Sequence, residues 1–370
     1  MSEKSDILLV GQTPPPFHGQ AVVTAMLFDH TWDGLKVERL RMAYSESIET
    51  VGRANLGKVW HLFSLILQTW RLAFAKRPKV LYYLPASANR TPVIRDIIYL
   101  SCVRWCFPKT VFHYHAGGLP QFLETIGMTG KMARRVYSNA DLSIDVIETS
   151  PPTGSYFESK ANMAVRNGVS VTQVAIERRD QASFQALYVG VLNEGKGLRD
   201  IVETATILLG RGYKFEFKIV GEWISNEFKS EMSELITSRE LTNNFIFTGS
   251  LTGDEKWQTY ADADVFFFPS HYEAETFGMV LVEAMAFGLP SVTTNWRGIP
   301  LVVEGGDCSI LCDVKSPHQY ADALEGLLLN KSKRDSMGHA ARAHYEKNYT
   351  KDRFVTSMEA VFRSVLNTRS

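Results

Sequence analysis

Short apolar runs and longer amphipathic stretches alternate along most of the chain. The runs Ile7–Val10, Val80–Tyr83, Thr110–Tyr114 and Leu142–Val146 are rich in β-branched and aromatic residues. The same kind of run recurs at Ala186–Val189, Phe215–Val220, Phe245–Thr248, Val265–Phe268 and Ser291–Thr294. Most of these are short apolar or β-branched runs, as expected of strands buried in parallel sheets. Helical periodicity separates the runs, as at Ala21–Thr31, Leu198–Leu209, Ser225–Arg239, Asp254–Ala261 and Met279–Phe287. Such alternation predicts βαβ units. The pattern restarts after Arg166-Asn167-Gly168, a turn signal, and residues 168–185 are polar and weakly periodic. Two α/β domains are therefore expected, residues 1–168 and 169–348, followed by a terminal helical segment over 349–370.

Composition agrees with two domains, because 370 residues exceed one ordinary core. Lys+Arg and Asp+Glu both number 40, so no net charge invites nucleic acid. The N-terminus enters the first strand directly with no signal peptide, so a cytoplasmic protein is expected. The stretch Val59–Lys79 mixes Trp60, Phe63, Leu67, Trp70 and Phe74 with Lys58, Arg71, Lys76, Arg77 and Lys79. It is too short and polar to span a bilayer. Two readings stay open: a helix in peripheral contact with the inner face of a membrane, or a buried helix of the first domain. The pairs Cys102/Cys106 and Cys308/Cys312 lack zinc-site spacing and read as structural, reduced thiols.

The chemistry concentrates downstream. Glu275 and Glu283 are separated by seven residues. The first falls on a loop after a strand, the second in a helix starting near Gly278. Both therefore lie at the C-terminal edge of a sheet, where open α/β sheets bind ligands. A helix N-terminus suits a phosphate. A carboxylate one turn into that helix can accept from a vicinal diol such as a ribose, and a loop carboxylate can reach what the phosphate carries. A solvated acidic pair is the competing reading. The loop Gly190–Gly197 nearly spells a P-loop, but Gly197 stands where Ser or Thr would hold magnesium. Lys196 and its glycines suit a diphosphate; a surface lysine is the alternative. Asp262 and Asp264 precede a strand at the wrong edge of the sheet, so they read as turn chemistry and no metal site is expected. In the first domain, Gly19 and Gln20 end a proline-rich strand-to-helix loop. His113 and His115 end another strand, on one side of it.

In this order, the pieces resemble the retaining glycosyltransferases of family 4 (glycosyl transferases group 1), over nearly the whole chain. The resemblance rests on Pro-Pro-Phe-His-Gly-Gln in the first loop, His115, Arg-Asn-Gly-Val, Val189 to Gly197, Ile219-Val-Gly-Glu, Phe247-Thr-Gly-Ser, Phe268-Pro-Ser, the Glu275/Glu283 pair with Phe277-Gly278, and Gly298-Ile-Pro. It implies the α/β GT-B architecture: two Rossmann-like doubly wound domains facing an interdomain cleft, the first for the acceptor and the second for a nucleotide-sugar, with the last helix crossing back onto the first. It implies Lys196 on the donor diphosphate, Glu283 on the ribose, and Thr276, Phe277, Gly278 and Met279 around phosphate and sugar. Glu275 would touch the transferred sugar, Gly19 the donor phosphate, and His115 the reaction centre; Gln20 and Arg297 are further candidates. Val191 departs from the family, which usually carries an arginine there.

The function so implied is transfer of a hexose-type sugar from a nucleoside diphosphate, uridine or guanosine among the bases, to an acceptor hydroxyl with retained anomeric configuration. The acceptor would be a saccharide or lipid-linked saccharide of polysaccharide or glycolipid assembly, and no cofactor or metal is needed. Lys196 and the helix N-terminus would stabilise the leaving diphosphate. A non-catalytic nucleotide-sugar binder or transferase partner, and a GT-B sugar-nucleotide epimerase, are the alternatives.

Overall fold

A computed structural model describes residues 4–15, 19–42, 56–171 and 183–368. Residues 16–18 of the first loop, and most of the polar stretch 168–185, lie outside the described residues. The chain divides into two compact units, Met1–Gly168 with Lys351–Ser370, and Val169–Thr350.

The first unit runs β1 (Ile7–Gly11), α1 (Gly19–Asp29), β2 (Val37–Arg41), α2 (Leu56–Lys76), β3 (Val80–Tyr83), α3 (Arg90–Val103), β4 (Lys109–Tyr114), α4 (Leu119–Thr125), α5 (Gly127–Tyr137), β5 (Leu142–Asp145), α6 (Thr153–Tyr156) and β6 (Asn162–Ala164). The second runs β7 (Phe184–Val189), α7 (Leu198–Gly210), β8 (Phe215–Val220), α8 (Asn226–Ser238), β9 (Phe245–Gly249), α9 (Gly253–Asp262), β10 (Val265–Phe268), α10 (Met279–Ala286), β11 (Ser291–Thr294), α11 (Ile299–Val303), β12 (Ser309–Cys312), α12 (Pro317–Leu329) and α13 (Lys331–Asn348). The last helix, α14 (Lys351–Asn367), belongs to the first unit: Lys109 on β4 donates from Nζ to Val365 O at 2.7 Å.

Each unit holds one six-stranded parallel sheet, ordered β2-β1-β3-β4-β5-β6 and β12-β11-β10-β7-β8-β9. The strand order reverses between β1 and β3 in the first sheet and between β7 and β10 in the second. At such a reversal the two following loops leave towards opposite faces and open a crevice at the strands' C-terminal ends. The central strands β1, β3, β4 and β10 are buried at every residue, as the apolar runs of β1, β3 and β10 lead one to expect.

Polar side chains inside the first unit converge on Asp96 of α3, which is fully buried. Its carboxylate accepts from Tyr83 OH at 2.6 Å, Tyr137 OH at 2.7 Å, Ala86 N at 2.8 Å and Arg95 at 2.7 Å. These bonds fasten β3 to α3 and α5. In the second unit, Asp264 accepts from Gln185 N at 2.9 Å and faces Arg334 at 3.5 Å. Asp264 thus helps join β7, β10 and α13, while Asp262 accepts from Gln258 Nε2 at 2.8 Å within α9. The four cysteines are free thiols.

Candidate functional site

The crevice of the second sheet is built by the loops after β7 and β10, which interlock. Gly197 caps α7 with φ 82°, a left-handed conformation that disfavours any side chain, and a Cβ there would lie 2.3 Å from Pro269 O. His271 N donates to Gly195 O at 2.8 Å, and Lys196 N to Asn193 Oδ1 at 2.8 Å. The close approach brings Lys196 Nζ to Glu275 Oε2 at 2.5 Å, across 79 positions of sequence. Ser270 Oγ donates to the same oxygen at 3.1 Å. The ammonium also lies over the rings of Phe268 and Tyr272, at 5.4 and 5.1 Å from their centroids. Both partners are largely buried, with side chains 19% and 9% exposed, so the pair is shielded from the screening that weakens surface ion pairs. Burial, with the Glu275 carboxylate as a second cause, pushes the Tyr188 phenol far above its ordinary range.

The second carboxylate stands one turn into α10. Gly278 caps this helix with φ 68°, and neither it nor Gly197 is joined by a side-chain cap. Two helix N-termini, α7 and α10, therefore present main-chain amides at one crevice, a setting suited to anions. Glu283 is held by α9: Lys256 Nζ donates to Oε1 at 2.6 Å and Tyr260 OH to Oε2 at 2.6 Å. Lys256 and Tyr260 are four apart on one helix, so a single face of α9 supplies both. Sequence reading passed over this pair and gave Ser270 no role beyond the Phe268-Pro-Ser motif; the four-residue spacing facing a helical glutamate was the available signal for the pair.

The remaining candidates divide between the units. Phe277 is buried and meets Tyr349 edge to face at 5.7 Å, so its side chain packs in the core and only its backbone faces the loop. Thr276 Oγ1 donates to Ala274 O at 3.2 Å, and Met279 opens α10 half-buried. Arg297 pairs with Glu273 at 2.5 Å and stacks on Trp296, whose Nε1 donates to Tyr272 O at 2.9 Å. Val191 contributes a carbonyl that accepts from Tyr188 OH at 3.1 Å. In the first unit Gly19 begins α1, and Gln20 O accepts from Thr24 Oγ1 at 2.8 Å. His115 follows β4, its ring 4.2 Å from that of His113. His113 is fully buried; burial and the neighbouring imidazole hold it well below its ordinary range, and its Nδ1 shares a hydrogen bond with Tyr82 OH at 2.6 Å. It is a neutral core residue.

Behind the loops, His271 Nδ1 lies 3.5 Å from Asp200 Oδ2 on α7. Burial pushes Asp200 up to about 6 and lowers His271, so near neutral pH a carboxylate faces a neutral imidazole.

The grip of α9 on Glu283 yields an expected result. Lys256→Met keeps the stem of the side chain but removes the ammonium, leaving Glu283 held by Tyr260 alone. For a nucleotide ligand bound by Glu283, the Kd should rise roughly fivefold to tenfold, the scale of one charge-assisted hydrogen bond. Calorimetric titration checks it, and an unchanged Kd would rule out a positioning role for Lys256.

Comparison with known proteins bears on the family and the fold. The family described as "Glycosyl transferases group 1" matches residues 172–344. The capsular polysaccharide biosynthesis glycosyltransferase CapM of Staphylococcus aureus is 24% identical over 184 residues, 50% of this chain and 47% of that protein. A D-inositol 3-phosphate glycosyltransferase of Paenarthrobacter aurescens is 32% identical over 166 residues, 44% of this chain and 40% of that one. The chain thus spans less than half the length of these curated relatives. Among solved structures, Anabaena HepE in complex with UDP superposes with a TM-score of 0.71 at 15% identity, covering 97% of this chain and 100% of that one. The chain is GT4-like: residues 172–344, in its second unit, match the glycosyl transferases group 1 family, and its two Rossmann-like units have the GT-B fold.

Proposed function

We propose that this protein transfers a sugar from a nucleoside diphosphate to an acceptor hydroxyl, with retention and without a metal, in polysaccharide or glycolipid assembly. The observation that carries the reading is the buried Lys196–Glu275 pair set between two glycine-capped helix N-termini, with Glu283 one turn away. An incoming diphosphate would meet Lys196 and the amides at the starts of α7 and α10, which stabilise the charge that grows as the glycosidic bond breaks. The ribose diol would donate to Glu283, already oriented by Lys256 and Tyr260. A uridine nucleotide is the favoured donor, because the similarly folded HepE was solved with UDP. Glu275 is tied up by an ammonium and a hydroxyl, which blunts it as a nucleophile. This favours same-face displacement over a covalent intermediate. Of the first unit's residues, His115, Gly19 and Gln20 are the ones proposed to act on the reacting groups.

A thermal-shift screen of UDP-, GDP- and ADP-sugars on the full chain, followed by transfer assays on an acceptor panel, tests the reading. One nucleotide series should raise the melting temperature, as a ligand of the native state must. Glu283→Ala should weaken that nucleotide's binding about tenfold. The reading fails if no nucleotide-sugar stabilises the protein, or if Glu275→Ala and Glu283→Ala both keep full transfer activity.

A further inference from the structure

Three helices of the first unit, α3 with α2 and α5 packed against it, carry apolar side chains that the fold leaves outside. On α2, Trp60, Phe63, Leu67 and Phe74 recur at helical spacing and stand 71%, 52%, 45% and 63% exposed. Leu65, Ile66, Thr69 and Ala73 of the same helix are buried. The helix is thus apolar on its core face and again on an outer face, one more than packing within this unit uses. Of the two readings of Val59–Lys79, full burial is therefore corrected.

The outer stripe continues onto α3. Trp70 Nε1 donates to Cys102 O at 2.9 Å, fastening the two helices together. Phe74 meets Trp105, which is 66% exposed, at 6.4 Å between ring centroids. Ile94 and Ile98, one turn apart on α3, are exposed, as are Met128 and Met132 on α5. Isolated exposed apolar residues are ordinary; a run of them over three adjoining helices marks an interaction surface.

Charge selects the partner. Neither α2 nor α5 contains a carboxylate, and the single one on α3 is the buried Asp96. Arg71, Arg77, Arg90, Lys131 and Arg135 are exposed on or beside these helices, and none has an ion pair among the described residues. A second copy of the same face would set cations against cations. A bilayer with anionic headgroups offers both complements: phosphodiesters for the cations, and an acyl boundary that accepts scattered Trp and Phe without shaped pockets. No helix among the described residues is long and apolar enough to cross a membrane, so contact would be peripheral.

We propose that the outer face of α2, α3 and α5 docks on an anionic lipid bilayer. The test is flotation of the full chain with protein-free vesicles, either phosphatidylcholine alone or equal parts phosphatidylcholine and phosphatidylglycerol. The protein should float with the mixed vesicles and not with phosphatidylcholine. Salt at about 0.5 M should release it, since screening then acts within a few ångströms. Phe63→Ser with Trp105→Ser should cut partitioning at least tenfold, an order-of-magnitude figure for two lost interfacial anchors. Arg71→Glu, Lys131→Glu and Arg135→Glu together should cut it by on the order of a hundredfold. All five positions are exposed, so melting temperatures should stay unchanged; the salt titration on the unaltered protein is an independent reading. Equal flotation with both vesicles, no flotation with either, or a dimer in sedimentation velocity that Phe63→Ser dissociates would each overturn the proposal.

Discussion

Glu275→Ala is expected to lower kcat/KM for sugar transfer by on the order of 10²–10³, the scale of one lost electrostatic contact at a reacting centre. The expectation comes from the geometry around Lys196. Its ammonium is buried against two aromatic rings and held by one carboxylate at 2.5 Å. Removing that carboxylate leaves a lysine with no fixed direction, and a diphosphate binds a misplaced ammonium less well in the transition state than in the ground state. Most of the loss should therefore fall in kcat. Lys196→Ala should lose a similar factor, with a larger share in the donor KM, because the cation itself is gone. The double variant should resemble the worse single variant, since the two act as a unit. Glu275→Gln keeps an oxygen for the ammonium and for Ser270 without the charge, and separates positioning from electrostatics. Steady-state kinetics with circular dichroism checks for native folding decide the matter. Activity of Glu275→Ala within about threefold of the parent protein would sink the assignment, far short of the loss one such contact accounts for.

Asp96→Ala should destabilise the first unit by about 3–5 kcal/mol, the range for breaking a buried charge network from one side. Its carboxylate accepts from two buried tyrosine hydroxyls and a main-chain amide, and pairs with Arg95. Alanine takes the acceptor away from all of them while they stay buried, which costs more than the bonds themselves contributed. Asp96→Asn keeps one acceptor oxygen and should cost roughly half as much. Urea unfolding followed by tryptophan fluorescence measures it, with the first unit resolved as its own transition where the units unfold separately. The midpoint should move with little change in slope, as for a loss of stability without a change in exposed surface. A shift worth under about 1 kcal/mol would show that water replaces the carboxylate at little cost.

Much of this architecture is legible along the chain because a parallel strand packed between helices leaves a short run rich in apolar or β-branched residues. The runs at Val80–Tyr83, Phe215–Val220, Val265–Phe268 and Ser291–Thr294 coincide with β3, β8, β10 and β11. The strands missed, β2, β6 and β12, lie at sheet edges. They bury fewer residues: VERLR and NMA carry little apolar signal, and SILC is a run of only four residues. α12 and α13 were not singled out either. The candidate chemistry was half visible: Lys196, Glu275, Gly278 and Glu283 each follow a readable strand or open a readable helix. Their partners were not.

Local pattern therefore determined the strand–helix alternation, the loops that carry glycines and charge, and the division into two parallel α/β domains, and the motif resemblance added the GT-B class of fold. Tertiary structure alone decided that β7 and β10 are neighbours, because strand order depends on long-range packing that no local period encodes. That one adjacency brings Lys196 onto Glu275. Packing between helices likewise set α9 against Glu283, and left the second apolar face of α2 in the open. Periodicity reports that a side chain is apolar; only the assembled neighbours determine whether anything covers it.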